Sequence, residues 1–211
     1  MPQNEQVSQI RQDDRYKQQI GEALDKAYER AVNNEAKTGT FSIDINTDRY
    51  IIFSDQHRGA RNRADDFRHA ERAYNAAMAY YYYRGHTLVV LGDAEELWEE
   101  RAPTVIENYQ HSLELEAKFY TAGRYLRFWG NHDDNWQYDG QVRKFLGKIF
   151  DKDLKVHEAI RLLVMDGEDE LGAFFLAHGH QGTTESDKFA WFSKFIVRYL
   201  WRPFQRITGV S

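Results

Sequence analysis

Four short apolar runs of the chain each end in polar side chains that can bind metal ions. The runs are RYIIFSDQHRG (49–59), HTLVVLGDAEELW (86–98), RYLRFWGNHDD (124–134) and LGAFFLAHGHQG (171–182). Helical patterns at about 64–84 and 103–122 separate the first three runs, so we expect buried strands alternating with helices in an α/β fold. Ligands of open α/β sheets bind outside the carboxyl ends of the strands, which predicts that the four polar clusters converge.

The other parts of the sequence predict three further elements. Residues 5–36 form a polar helical pattern with a thin apolar stripe, which indicates an N-terminal helical extension over 1–40 preceding a main domain over 41–211. A short helix is expected over 139–150. Residues 162–165 are expected to turn at Asp166 and Gly167 and to pair with residues 172–177 in a hairpin.

The residues that end the four runs have the chemistry of divalent metal ligands. They are Asp55, His57, Asp93, Asn131, His132, His178 and His180. The chain has no cysteine, which excludes disulfides, thiolate ligands and a cysteine nucleophile. Carboxylate, imidazole and amide groups suit Mn, Fe, Zn or similar ions. Asp55 and His57 lie one residue apart, so their side chains share one side of a strand end. The carboxylate of Asp93 has two oxygens and can bridge two ions.

The blocks SDQHRG, GDAEE, GNHD and HGH, in this order across residues 51–182, resemble the signature blocks of the calcineurin-like metallophosphoesterase superfamily. The resemblance implies a two-sheet α-β-β-α sandwich with two divalent ions, Mn²⁺ first among them. It also implies that Asp55 and His57 bind one ion, that Asp93 bridges, and that Asn131 and His178 bind the other.

The same resemblance implies roles for residues beside the ligands. His132 is expected to contact the scissile phosphate and to protonate or stabilise the leaving group, with Asp133 orienting its ring; an imidazole held by a carboxylate can act as an acid near pH 7. Glu96 is expected to support the metal ligands from behind. The position of Arg58 behind the first block indicates either contact with substrate phosphate or an ordinary exposed arginine. His180 is expected near the site without binding metal.

The function expected from these blocks is hydrolysis of a phosphodiester or pyrophosphate by a metal-activated water. GDAEELW, HGHQG and the aromatic segment after them are most similar to the UDP-2,3-diacylglucosamine pyrophosphohydrolase-like branch, which implies a phosphorylated small-molecule or lipid-linked substrate. Two alternatives stay open. One is a protein phosphatase or nucleotidase of the same fold, and the other is a non-catalytic scaffold that binds partners.

The family signature closes with a GH-x-H block, and this sequence has none after His180. We therefore expect a truncated form of a longer enzyme, in which each ion lacks one ligand. Residues 188–206, within an expected basic aromatic helix over 186–206, contain five cations and no acid. Such a helix is typical of a lid or of a peripheral membrane contact with anionic lipid, and a packed surface helix or a dimer contact is the alternative.

Charge and hydropathy set the expected location. The net charge of -5 gives no general attraction to nucleic acid, so no specific nucleic-acid binding is expected. The first residues lack the apolar core of a signal peptide, and the sequence has no uninterrupted apolar run of about 18 residues. The expected location is the cytoplasm, with membrane association through 188–206.

Overall fold

The structure is a computed structural model that describes residues 3–181, with side chains described from residue 15 onward. The α-helices of this part are α1 (Gln3–Val32), α2 (Phe67–Tyr83), α3 (Ala102–Asn108), α4 (Gln110–Thr121) and α5 (Asp139–Phe145), with a 3-10 helix at Asp134–Gln137. The strands are β1 (Thr38–Asp44), β2 (Tyr50–Phe53), β3 (Thr87–Leu91), β4 (Tyr125–Phe128), β5 (Val156–His157), β6 (Ala159–Asp166) and β7 (Asp169–Ala177). The expected helix over 186–206 lies outside the described residues.

The strands form two sheets. One sheet has the order β2-β3-β4-β5 and is parallel throughout. The other has the order β1-β6-β7, with β1 parallel and β7 antiparallel to β6. The three predicted strands that alternate with helices lie side by side in the parallel sheet. The fourth predicted strand, β7, lies in the second sheet, so convergence at one site requires the two sheets to stack.

Side-chain packing places the two sheets face to face. Val89 and Phe128 of the parallel sheet pack against Ile160 and Leu162 of β6, and these four residues are at most 4% exposed. The larger core cluster lies on the opposite face of the parallel sheet, where helices α2 to α5 cover it. Helix α1 covers β1 and β6. The chain is therefore an α/β protein in which two stacked sheets have helices on both outer faces.

The N-terminal helix belongs to the body of the fold. Ala27 and Ala31 of α1 are fully buried, and the ring of Tyr28 contacts Phe175 of β7 at 5.5 Å. The domain boundary expected at residue 40 falls inside β1, which pairs along its whole length with β6. That boundary does not hold, because β1 and its helix complete the second sheet.

The hairpin and the helices expected from the sequence are present, with small differences in their bounds. β6 and β7 form the expected hairpin, with Gly167 at a positive φ of 62° in the turn. The pattern over 103–122 is two helices, because Tyr109 turns its ring into the core and donates a hydrogen bond to Asp65 at 2.7 Å. None of the helices in the described part of the chain combines the length and the apolar character that crossing a bilayer requires.

Candidate metal centre

The polar residues that follow β2, β3, β4 and β7 meet at one place, as the sequence predicts. His178 Nε2 lies 3.1 Å from Asp93 Oδ2. His57 Nε2 lies 3.8 Å from Asp55 Oδ1 and 3.9 Å from Asp93 Oδ2. Two ligand atoms that share an ion at about 2.1 Å from each lie about 3.0 to 4.2 Å apart. These separations therefore fit atoms that bind a common ion.

Two sets of three side chains can each hold an ion, and both sets contain Asp93. The first set is Asp55, Asp93 and His178, and the second is His57, Asp93 and His132, with the ligand atoms of each set within 4.8 Å of one another. The resemblance implies the same central position for Asp93 but pairs Asp55 with His57 and excludes His132 as a ligand. The arrangement thus keeps the shared carboxylate and groups its neighbours differently.

The three imidazoles have the orientation of metal ligands. The Nδ1 atoms of His57 and His132 lie 3.0 and 2.7 Å from the same oxygen, Oε2 of Glu96. Nδ1 of His178 lies 2.8 Å from the carbonyl oxygen of Leu91. An ionised carboxylate and a carbonyl only accept, so each Nδ1 donates its proton, and Nε2 is the ring nitrogen that could bind an ion once it is deprotonated. Metal-binding histidines are commonly fixed in this way, and Glu96 has the supporting position expected from the sequence.

The charges at the site stabilise one another strongly. Burial raises the pKa of Asp93, but the hydrogen bond and charge of His178 outweigh burial and lower it. Burial lowers the pKa of His178, and Asp93 raises it on balance to about 9. Burial likewise raises the pKa of Glu96, while its bonds to His132 and His57 lower it overall. A divalent ion would compete with the His178 Nε2 proton for Asp93, because metal ligands must be deprotonated.

Two glycines bring backbone against the site. A Cβ added to Gly92 would lie 2.6 Å from the His178 ring, and Gly92 has a φ of +78°. A Cβ added to Gly130 would lie 2.1 Å from Asp93 Oδ1 and 2.7 Å from the His178 ring. The turns after β3 and β4 therefore require glycine, because His178 of the second sheet packs directly between them.

The backbone is strained at three of the predicted ligands. Asp55, His57 and Asp93 have φ values of 57°, 47° and 49°, in the left-handed region that side-chain-bearing residues rarely adopt. Such strain persists only where surrounding contacts enforce it, and it concentrates at functional sites. Here the enforcing contacts include the bonds from the backbone N–H of Asp55 and His57 to the carbonyls of Gly92 and Asp93, at 3.2 and 2.9 Å.

The ring of His132 is held by Glu96 and Trp98. Its Nδ1 contacts Glu96, and its face stacks on Trp98 at 4.4 Å with an interplanar angle of 15°. The Trp98 indole N–H donates to the carbonyl of Asn131. Trp98 ends the GDAEELW block, but no role was predicted for it from the sequence. A tryptophan two residues after the acidic pair was the available signal.

Asp133 does not orient His132, contrary to the expectation. Its carboxylate is fully buried and accepts the backbone N–H groups of Gly130 at 2.6 Å, Asp93 at 3.3 Å and Ala94 at 2.9 Å. Asp133 therefore ties the turn after β4 to the turn after β3. Its carboxylate points inward to these N–H groups, while the imidazole of His132 contacts Glu96 at the site. Its role is to position the ligand loops rather than to touch substrate.

Arg58 neither faces a substrate nor is exposed, so both interpretations are wrong. Its guanidinium is fully buried beside Arg127, where the two arginines pair with two glutamates. Arg58 contacts Glu95 at 3.3 Å and also binds Glu116, while Arg127 binds Glu95 and contacts Glu116 at 3.4 Å. We call these four residues the buried quartet. It lies behind the loops that carry the candidate ligands.

Two other predicted residues lie in the expected places. The ring of His180 is 5.7 Å from the ring of His178. Asn131 follows Gly130 in the turn after β4, where it is half-buried next to His132. Metal ligation by the Asn131 amide remains a prediction.

The chain was also compared with family models, with curated proteins and with solved structures, and nothing matched in any of the three comparisons.

Proposed function

We propose that this chain is a metal-dependent phosphoesterase of the calcineurin-like type, which hydrolyses a phosphodiester or pyrophosphate bond. The observation that carries the proposal is the shared position of Asp93 in two separate sets of potential ligands. A carboxylate common to two sets is what a dinuclear centre needs. The fold supports the proposal because all candidate ligands follow the carboxyl ends of strands.

The donor set fits divalent transition ions. Asp55, Asp93 and His178 would hold one ion, with Asn131 beside them. His57 and Asp93 would hold the other. Oxygen and imidazole ligands without sulfur favour Mn²⁺, with Fe and Zn as further candidates. Two bound ions supply a water of lowered pKa and neutralise charge on the phosphoryl oxygens.

The side chains around the ligands would bind and protonate the substrate. The Glu96 carboxylate accepts the hydrogen bond from Nδ1 of His132 and fixes the direction of the ring. The stacked Trp98 limits rotation of the ring. An imidazolium held this way can donate a hydrogen bond to a phosphoryl oxygen and a proton to the leaving group. The substrate class proposed from these residues is a phosphodiester or pyrophosphate of a nucleotide-linked or lipid-linked molecule.

Metal binding and hydrolysis should be measured together on the full chain. Mn²⁺ binding is followed by isothermal titration calorimetry, and hydrolysis by release of nitrophenolate from bis(4-nitrophenyl) phosphate. Asp93→Asn should reduce binding at both sites, because both share this carboxylate, while Asp55→Asn should reduce it at one. Glu114→Gln, an exposed change on α4, is the control and should change neither quantity.

His132→Ala separates the role of this imidazole from that of the ligands. We expect metal binding to persist and hydrolysis to fall by about 100-fold or more, which is typical for loss of a general acid. Loss of one ion in this variant would show that His132 is a ligand in the set with His57 and Asp93. A wild-type chain that binds Mn²⁺ but hydrolyses no phosphodiester or pyrophosphate would favour the scaffold alternative and would refute the proposed activity.

A further inference from the structure

A cavity of about 800 Å³ lies between the free edges of the two sheets. Strand β1 is the outermost strand of one sheet and β5 of the other, and both line the cavity. We call it the edge cavity. It shares no lining residue with the candidate metal centre. Its volume falls within the range of about 300 to 1,000 Å³ that small-molecule sites occupy.

Aromatic side chains form much of the wall of the edge cavity. Phe41 of β1 and Tyr120 and Tyr125, from α4 and β4, line it. Phe41 is 37% exposed and meets the ring of His157 edge-on at 5.7 Å. The hydroxyl of Tyr125 donates a hydrogen bond to Glu116 at 2.8 Å, and its ring stacks on Phe150 at 5.3 Å. Flat apolar walls of this kind suit a planar ligand body.

Positive charge acts on His157, which lines the edge cavity. His157 is only 8% exposed, and its Nδ1 has no hydrogen-bond partner among the described residues. Burial, followed by the charges of Lys155 and Lys37, lowers the pKa of His157 to about 4. Lys37 binds Asp139, whereas Lys155 forms no ion pair within residues 15–181. A buried polar atom without a protein partner leaves room for a hydrogen bond to a ligand or to water.

Negative charge surrounds Tyr120, which also lines the edge cavity. Burial, followed by the charges of Asp151 and Asp153, raises the pKa of Tyr120. Asp153 lines the cavity, and the described part of the chain contains no ion-pair partner for it. The cavity therefore has lysines acting near His157 and aspartates acting near Tyr120. A ligand with only a negative charge would be repelled by the aspartates, and a ligand with only a positive charge would be repelled by the lysines.

We propose that the edge cavity binds a small zwitterionic ligand with a flat apolar body, whose anionic group meets Lys155 and His157 and whose cationic group meets Asp153. This site is separate from the proposed hydrolytic centre and does not depend on its activity. Lys155 and Asp153 form no ion pair among the described residues, and each would gain an opposite charge from the ligand. The planar body of the ligand would cover the aromatic walls.

Three matched probes test this charge pattern on the full chain in the presence of a chelator, which keeps carboxylates from binding metal. The probes are 4-(aminomethyl)benzoate, which has both charges, 4-methylbenzoate, which has the anion alone, and 4-methylbenzylamine, which has the cation alone. Binding is measured by NMR titration, with His157 ring signals as the local reporter. A probe of this size should bind with a Kd of about 1 mM, and the zwitterion should bind about fivefold or more tightly than either singly charged probe.

Two charge-neutral variants locate the groups. Lys155→Gln should weaken binding of the zwitterion and of the benzoate about fivefold and leave binding of the amine unchanged. Asp153→Asn should weaken binding of the zwitterion and of the amine about fivefold and leave binding of the benzoate unchanged. Lys148→Gln, outside the cavity, is the matched control and should have no effect. All three positions have charged side chains that form no ion pair among the described residues, so the variants are expected to fold.

The proposal fails if no binding of the zwitterion is detected at probe concentrations several times the expected Kd. It also fails if binding is equal for all three probes, because the charge pattern would then have no influence. Binding that neither Lys155→Gln nor Asp153→Asn alters, or that leaves the His157 signals in place, would locate the probe elsewhere and would overturn the assignment.

Discussion

Two charged clusters are built from the same loops of this chain, and they treat charge in opposite ways. In the sequence, His57 is followed by Arg58, and Glu95 is followed by Glu96. His57 and Glu96 face the candidate metal centre, whereas Arg58 and Glu95 belong to the buried quartet. Adjacent residues therefore point to opposite sides of one loop layer.

The buried quartet balances its charge within the protein. Its two arginines and two glutamates have fully buried side chains. The glutamates also accept hydrogen bonds from Tyr74 at 2.9 Å, Tyr125 at 2.8 Å and Trp136 at 2.8 Å. Buried charges of this kind are tolerated because each has an opposite charge and several donors.

The candidate metal centre is balanced only through its imidazoles. Its carboxylates are those of Asp55, Asp93 and Glu96, and no lysine or arginine of the described residues pairs with them. The side chain of Asp55 is 59% exposed, so the site is open to solvent. The comparison teaches that a neutral buried cluster serves as a frame, while a cluster balanced only by titratable groups is suited to bind cations.

The largest effect on stability should come from removing a charge of the buried quartet. Glu116→Gln removes one charge from the buried quartet and leaves two arginines with a single glutamate. The expected loss in the free energy of unfolding is about 3 to 5 kcal/mol, since one partner of a buried ion pair has been removed. Urea unfolding followed by circular dichroism measures it.

Glu114→Gln on the same helix is the control, because Glu114 is exposed and forms only a helical contact with Gln110 at 2.7 Å. It should change stability by less than about 0.5 kcal/mol. Asp55→Asn at the metal centre, measured without metal, should likewise cost little. If Asp55→Asn destabilises the chain as much as Glu116→Gln, the two clusters do not differ in the way described.

The next prediction concerns His157, a buried residue whose Nδ1 has no hydrogen-bond partner among the described residues. Burial and two lysines lower the pKa of His157 from 6.5 to about 4. The unfolded chain therefore binds a proton between these pH values that the folded chain does not. Stability should be fully retained above pH 6.5 and should fall by up to about 3 kcal/mol as the pH decreases to about 4.

Urea unfolding at a series of pH values separates His157 from the carboxylates that also titrate there. His157→Gln should show a shallower loss of stability than the wild type over this window. His111→Gln, at an exposed position on α4, should retain the wild-type slope. Identical slopes for the His157 variant and the wild type would mean that this imidazole is charged in the folded state.

The sequence predicted the convergence of the candidate metal ligands better than it predicted the buried quartet. The rule that ligands gather at strand ends depends only on strand order, and Asp55, Asp93 and His178 meet as it requires. The sequence predicted the β6–β7 hairpin but not that the hairpin forms a second sheet with β1, because β1 was not recognised as a strand. β1 and β5 were not predicted, because TGTFSID lacks a continuous apolar run and β5 has only two residues.

The buried quartet was not predicted because charged residues read as surface in a single sequence. Arg58 was therefore assigned to substrate or to the surface. One signal was present: Arg127 interrupts the short strand YLRF, where a charged residue has little room unless it is paired. Asp133 was misassigned for a related reason, since adjacency to His132 says nothing about direction once the chain turns.

The following prediction concerns Glu96, which joins both imidazoles of the metal centre. Glu96→Gln removes the carboxylate that fixes the Nδ1 protons of His57 and His132. Mn²⁺ affinity should fall about 10- to 100-fold, as is typical when the partner of a metal-binding histidine is lost. Isothermal titration calorimetry measures it, with Glu114→Gln as control. Unchanged affinity would mean that Glu96 does not orient the ligands.

The smallest effect should come from an arginine–glutamate ion pair at the surface, which has the same charges as the pairs of the buried quartet. Arg161 and Glu170 form an ion pair at 3.2 Å across the β6–β7 hairpin, with side chains 22% and 51% exposed. A double-mutant cycle with Arg161→Gln and Glu170→Gln should give a coupling energy of about 0.2 to 1 kcal/mol, because water already solvates both groups. The coupling should shrink further in 1 M salt, where the Debye length is about 3 Å. If this pair couples as strongly as Glu116 does with its arginines, burial is not what distinguishes the frame. A weak, salt-sensitive coupling would attribute the frame's strength to its exclusion of water.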